Sequence, residues 1–211
     1  MKKLTAPQFT EMLMAVSNAI MDNEQYLCKL DSYVGDGDHG VTVARGFTAV
    51  KAKLESIQDA SISELLGLTG DTLSETMGGA IGPIFGSIFS AMGENTGSAE
   101  AIGTAEMATM LRAGLEDAMM IGGAQPGDRT LIDSLTPAVE AMESASAAGK
   151  TLPEALKLSA QAAAQGVEAT KDMVAKKGRA KFLQEKSKGY QDAGATSMLL
   201  VLEAMAGYCA R

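Results

Sequence analysis

The 211-residue sequence predicts an all-α domain of up-down helices, and three observations carry that expectation. Its 46% apolar residues are mostly Ala, Leu, Ile and Met, with 4% aromatics and no Trp, which favours helices over a β-sandwich. Helix-start signals recur ahead of runs with apolar residues at three- and four-residue spacing. Between these runs lie short clusters of Gly, Ser, Pro and Asp, without the alternating β-branched runs that mark strands.

Each element has its own punctuation. Thr5-Ala6-Pro7-Gln8 reads as a capping box with Pro in the first turn, followed by Phe9, Leu13, Val16 and Ile20 on one face. The helical pattern resumes over 23–30 and again over 39–55. Ser61-Ile62-Ser63-Glu64 opens a helix through Leu65, Leu68 and Leu73, and another is expected over 80–93. Thr104 reads as the cap of 105–120 and Thr130 as the cap of 131–147. Thr151-Leu152-Pro153-Glu154 opens an Ala-rich helix running to about residue 175, and the last helix is expected over 195–210. The total is about eight, and short connections make successive helices antiparallel neighbours. No linker or repeat divides the chain, so residues 1–211 are read as a single domain.

Composition narrows the function. A net charge of −8 argues against a nucleic-acid partner, which needs a basic footprint. An anionic ligand would need a metal ion to offset the repulsion. Two cysteines, Cys28 and Cys209, make no disulfide framework and suit a reducing compartment. Met1-Lys2-Lys3-Leu4-Thr5 is not followed by a signal-type apolar core, and no stretch reaches about 18 apolar residues. A soluble, cytoplasmic protein that does not span a membrane is the expectation.

Four loops stand out. Asp31-Ser32-Tyr33-Val34-Gly35-Asp36-Gly37-Asp38-His39-Gly40 holds three carboxylates and the only histidine. It is either a solvated turn or a site for a hard cation such as Mg²⁺, which takes a few carboxylates plus substrate phosphates. No Glu stands where an EF-hand loop needs it. Met77-Gly78-Gly79-Ala80-Ile81-Gly82-Pro83 leads into a helix, where tight glycines serve close helix packing or present backbone N–H groups to a phosphate. It has neither the Lys of a P-loop nor a preceding strand. Gly122-Gly123-Ala124-Gln125-Pro126-Gly127-Asp128-Arg129-Thr130 also precedes a helix. The fourth runs from Lys176-Lys177-Gly178-Arg179-Ala180 to Gln191-Asp192-Ala193-Gly194-Ala195-Thr196, basic in an acidic chain and readable as a solvated linker. Up-down connectivity would bring several such loops to one end. His39 lacks the company of a zinc site, no G-x-S-x-G serine exists, and the 14 methionines read as core filler.

Taken in order, GDGDHG, Arg45-Gly46-Phe47, GGAIGPIFG, QPGDRT, KKGRA and QDAGATS resemble the nucleotide-binding L subunit of dihydroxyacetone kinases over residues 31–197, with a chain length like that of the stand-alone subunit. The resemblance implies a barrel of eight antiparallel amphipathic helices with ADP or ATP and two Mg²⁺ ions held at one end. Asp31, Asp36 and Asp38 match the metal-binding and catalytic carboxylates. His39, Gly40, Val41 and Thr42 match the nucleotide contacts beside them, and Gly79, Ala80 and Ile81 match the phosphate loop. Gly122 and Leu131 fall where the base pocket is expected, and Thr130 matches a phosphate contact. Arg179, Asp192, Ala193 and Gly194 match the remaining contacts. Thr42, Ile81 and Ala193 depart from the Asn, Ser and Pro common at these places. The loss of a hydroxyl at 81 leaves backbone N–H groups to serve there.

The implied activity is phosphoryl transfer to a small ketose, dihydroxyacetone, bound on a separate K subunit. Two variants stand within that class. ADP stays bound and is rephosphorylated by a phosphohistidine-carrying M subunit of the phosphotransferase system, or free ATP serves, with another small ketose such as a tetrulose as substrate. A non-catalytic nucleotide-binding regulator that touches a transcription factor is the alternative from another class. A homodimer is also compatible with the resemblance.

Overall fold

A computed structural model describes residues 3–97 and 99–211; Met1 and Lys2 of the N-terminal reading lie outside them. The described residues form nine α-helices, a two-residue strand pair and two 3₁₀ segments. The helices are α1 (Ala6–Asp22), α2 (Glu24–Ser32), α3 (His39–Ser56), α4 (Ile62–Thr76) and α5 (Ile81–Glu94), then α6 (Thr104–Gly122), α7 (Ile132–Ala147), α8 (Leu152–Ala169) and α9 (Ala193–Cys209). The all-α expectation holds. None of these helices is long and apolar enough to cross a membrane.

Packing follows chain order. Each of α3 to α9 packs on the next, α9 packs on α1, and α1 packs on α3, which closes a ring. The short helix α2 stands outside it, against α3 and α9. Connections other than the long one over 170–192 are short, and helices in the ring alternate in direction. One end therefore collects the starts of α3, α5, α7 and α9, and the other collects the starts of α1, α4, α6 and α8.

The ring encloses one apolar core, where Phe47 meets Phe85 and Phe89 edge-on, ring centres 6.3 and 6.1 Å apart. Such aromatic pairs contribute about 0.5–1.5 kcal/mol beyond their area. Met12, Met92, Met107, Met110 and Met142 are buried there as the expected filler, whereas Met120 is 70% exposed.

Several boundaries differ from the sequence expectations. Gly103, not Thr104, caps α6: Glu106 reaches back to accept the Gly103 N–H at 2.9 Å, and the Thr104 hydroxyl donates instead to the Lys150 carbonyl. Leu131 occupies the cap position of α7, while Thr130 sits one residue earlier with its hydroxyl accepting from Ile132 N–H at 3.2 Å. The Ala-rich helix stops at Ala169 rather than near 175, and Thr170–Asp172 turn as a 3₁₀ segment. There the Thr170 hydroxyl donates to Val167 O and accepts from Asp192 N–H, which ties the chain to a distant segment. The basic stretch read as linker contains the 3₁₀ segment Arg179–Ser187, kinked at Gln184. Leu4–Thr5 and Ala101–Ile102 pair antiparallel, a contact between distant residues that no local pattern announced.

Candidate functional site

At the end where α3, α5, α7 and α9 begin, the four incoming connections surround a cavity of about 640 Å³. That volume suits a small-molecule ligand.

The α2–α3 connection forms one wall. Asp31 lies in the last turn of α2 and Asp38 precedes α3, and ligand oxygens of Asp31, Asp36 and Asp38 lie within 4.8 Å of one another. Backbone bonds impose this convergence: the Asp31 carbonyl accepts the Gly35 N–H at 2.6 Å, and its carboxylate accepts the Gly37 N–H at 2.8 Å. Gly37 takes φ +77°, which a side chain would strain. Burial, followed by the Asp36 and Asp31 charges, holds the Asp38 carboxyl above the usual range, with Arg179 acting in the opposite sense. The Arg179 guanidinium lies 2.9 Å from the Asp36 carboxylate. Three hard oxygen donors crowded together against their own repulsion fit Mg²⁺, which takes such ligands and keeps part of its water shell.

Beside the carboxylates, His39 Nε2 lies 3.1 Å from Ser197 Oγ, whose hydroxyl donates to Gly194 O at 2.9 Å. Burial lowers the imidazole pKa despite the nearby Asp31. Val41 and Thr42 face the cavity from the first turn of α3. Gly40 does not: it is buried where α3 crosses α2, and a Cβ there would collide with the Glu24 carbonyl.

Gly79, Ala80 and Ile81 line the opposite wall at the start of α5, and Gly122, Thr130 and Leu131 line the α6–α7 side. Arg179, Asp192, Ala193 and Gly194 complete the wall from the α8–α9 connection. The cap residues of α3 and α5 make no side-chain hydrogen bond to their helices, which leaves N–H groups directed at this end. The other two starts are closed by side chains: the Asp133 carboxylate reaches back to accept the Thr130 N–H at 2.7 Å while Thr130 Oγ1 accepts the first N–H of α7, and the Asp192 carboxylate accepts the Ala195 N–H of α9 at 2.8 Å. Open helix starts present N–H donors and the positive end of the helix dipole to an anion.

Three cations on this wall were not singled out from the sequence. Arg45 donates from Nε to the last-turn carbonyl of Thr76 at 2.9 Å, Lys177 lies near Gly123, and Arg129 is almost wholly buried. All three stand inside motifs quoted from the sequence, Arg45-Gly46-Phe47, KKGRA and QPGDRT, but the burial of Arg129 arises from tertiary packing and has no local cue.

The sequence is 36% identical to the PEP-dependent dihydroxyacetone kinase ADP-binding subunit DhaL of Escherichia coli K12 over 203 residues, 96% of this chain and 97% of that protein. It is 35% identical to the L-erythrulose kinase of Pectobacterium atrosepticum over 195 residues, 92% of this chain but 33% of that protein. The dihydroxyacetone kinase of C. freundii, solved in complex with AMP-PNP and Mg²⁺, superposes with a TM-score of 0.73 at 28% identity, covering 98% of this chain and 35% of that one. Residues 33–207 match the DAK2 domain, and the chain belongs to that family.

Proposed function

We propose that this chain binds ADP or ATP with Mg²⁺ and works as the nucleotide-binding subunit of a dihydroxyacetone kinase. The observation that carries this reading is the convergence of Asp31, Asp36 and Asp38, their oxygens within 4.8 Å, on a cavity that the open starts of α3 and α5 face. The carboxylates would hold two Mg²⁺, which supply charge neutralisation for phosphates that a −8 chain would otherwise repel. N–H groups at the starts of α3 and α5 would bind phosphate oxygens. Arg179, 71% exposed at its side chain, would add a cation on the solvent side, where a transferring phosphoryl group carries its charge. His39, kept neutral by burial and engaged with Ser197, orients the α3–α9 contact rather than adding charge.

The ketose is assigned to a separate K subunit. Large apolar side chains stand exposed on this end's elements, Val41 on the cavity lining, Ile121 in the last turn of α6, and Tyr33, Phe182 and Tyr190 in the connections that enter α3 and α9, as a partner-covered rim would require. The phosphoryl donor favoured here is a phosphohistidine-carrying M subunit acting on resident ADP, supported by the near full-length match to a PEP-dependent ADP-binding subunit. The match to an L-erythrulose kinase supports a second reading, an ATP-dependent kinase for a four-carbon ketose.

Titration calorimetry with Mg-ADP tests the site. Asp36→Asn is expected to weaken binding by more than about tenfold, through loss of a charged metal ligand. An unchanged affinity would overturn the metal assignment.

A further inference from the structure

Arg129 combines three features that the binding site just described does not use. It is 2% exposed, which is rare for a guanidinium. Its φ of 61° places a non-glycine residue in the left-handed region, a conformation kept only where the surroundings over-determine it. Its Nη2 donates to the Tyr190 carbonyl at 2.7 Å, yet Nε and Nη1 have no partner among the described residues. Buried guanidinium groups are ordinarily fully paired, so a half-paired one marks a specific role.

The segment it grips carries much of one cavity wall. Tyr190 stacks on Tyr33, ring centres 4.9 Å apart, which links this segment to the metal loop. Asp192 caps α9, and its own N–H donates to Thr170 Oγ1 at 2.9 Å. Arg129 and Asp192 feel each other's charge, the one counter-charge identified for Arg129.

We propose that Arg129 is a positioning residue, a buried cationic latch that fixes the 190–194 segment against the α6–α7 connection and so sets the nucleotide-facing wall. The latch itself is a property of the ligand-free protein; its effect on affinity rests on the nucleotide reading. Burial pushes the Asp192 carboxyl up to about 6, opposed by the Ala195 and Gly194 N–H groups and by Arg129, while Asp133 on α7 adds repulsion. Removing the Arg129 charge removes one of the influences that keep Asp192 ionised, so its proton is taken up at higher pH.

Arg129→Met and Arg129→Lys in the full chain test the latch by two readouts. In hydrogen exchange without nucleotide, the Met variant should lose roughly tenfold protection across 190–197, with α5 and α6 unchanged and protection partly restored by Lys. In calorimetry with Mg-ADP from about pH 5.5 to 8, affinity should fall roughly tenfold, and its pH midpoint should move up in the Met variant and return with Lys. Wild-type exchange over 190–197 in Arg129→Met overturns the proposal, as does an unmoved pH midpoint. Loosened exchange in a protein whose wild type binds no Mg-ADP supports the latch and overturns the nucleotide reading instead. If Arg129→Met does not fold, Asp192→Asn carries the test, since Asn still caps a helix but bears no charge. Its affinity should lose the pH step, and a wild-type step overturns the proposal.

Discussion

The two ends of the helical ring close their helix starts to different extents. At the end away from the cavity, every helix start is closed by a side chain reaching back. Gln8, Glu64, Glu106 and Glu154 accept the N–H of Thr5, Ser61, Gly103 and Thr151 at 3.0, 2.8, 2.9 and 2.9 Å. The strand pair Leu4–Thr5 with Ala101–Ile102 ties that end further. At the cavity end, α7 and α9 are closed by Asp133 and Asp192, but α3 and α5 start without a side-chain cap, and like-charged carboxylates are crowded beside α3. Each omitted cap forgoes about 1 kcal/mol that the other end keeps. The same fold thus places local stability at one end and unsatisfied donors and charge at the other, the arrangement expected when a ligand completes the second.

The largest expected effect comes from supplying that ligand. A ligand that binds only the native state stabilises it by about 4 kcal/mol at a thousandfold excess over Kd, and each kcal/mol raises Tm by roughly 2–4 °C for a domain of this size. Starting from nucleotide-free protein, Mg-ADP should raise Tm by about 10 °C, and ADP with EDTA by much less. Hydrogen exchange should show the gain at the starts of α3, α5, α7 and α9. Equal shifts with and without Mg²⁺, or protection spread evenly over both ends, would break the contrast.

Removing caps from the far end should do the reverse. Ser61→Ala and Thr151→Ala together should cost about 2 kcal/mol, since the two caps open different helices and each is worth about 1 kcal/mol. Tm should fall by roughly 4–8 °C while calorimetric affinity for Mg-ADP stays at the wild-type value. A matching loss of affinity would show that the two ends are coupled rather than divided.

That division also explains what the sequence revealed. Caps are a local code, so Thr5-to-Gln8, Ser61-to-Glu64 and Thr151-to-Glu154 announced three helix starts correctly. The fourth was misplaced by one residue because Thr104 is the better cap type, whereas Gly103 leaves the work to Glu106. At the cavity end, the carboxylate loop stood out by composition, and its motifs carried the resemblance to kinase L subunits. Gly40, which has the same motif context, turned out to be where α2 and α3 touch. Arg129 and the Tyr33–Tyr190 stack could not be read, because burial and contact between distant loops leave no local pattern.

The smallest expected effect is a pH response of opposite sign at the two ends. Backbone and side-chain hydrogen bonds at the caps hold Glu64, Glu106 and Glu154 below their ordinary value of 4.5. Their contribution to stability is present above that value and is lost as pH falls through the lower folded-state values. Asp192 behaves the other way. Burial lifts it from 3.8 to about 6, so its folded form takes a proton more readily than the unfolded chain, and stability is gained as pH falls through 6 toward 3.8. Between pH 7 and 5 this gain is about 1 kcal/mol by linkage, a window in which the far-end caps are still ionised. Asp192→Asn isolates it, since Asn keeps the α9 cap and has no charge to titrate. The Tm advantage of Asp192→Asn over wild type should shrink by roughly 2–4 °C from pH 7 to 5. A constant difference across that window would mean that Asp192 is not held above its ordinary value, and the cavity end would lose part of its claim to stored charge.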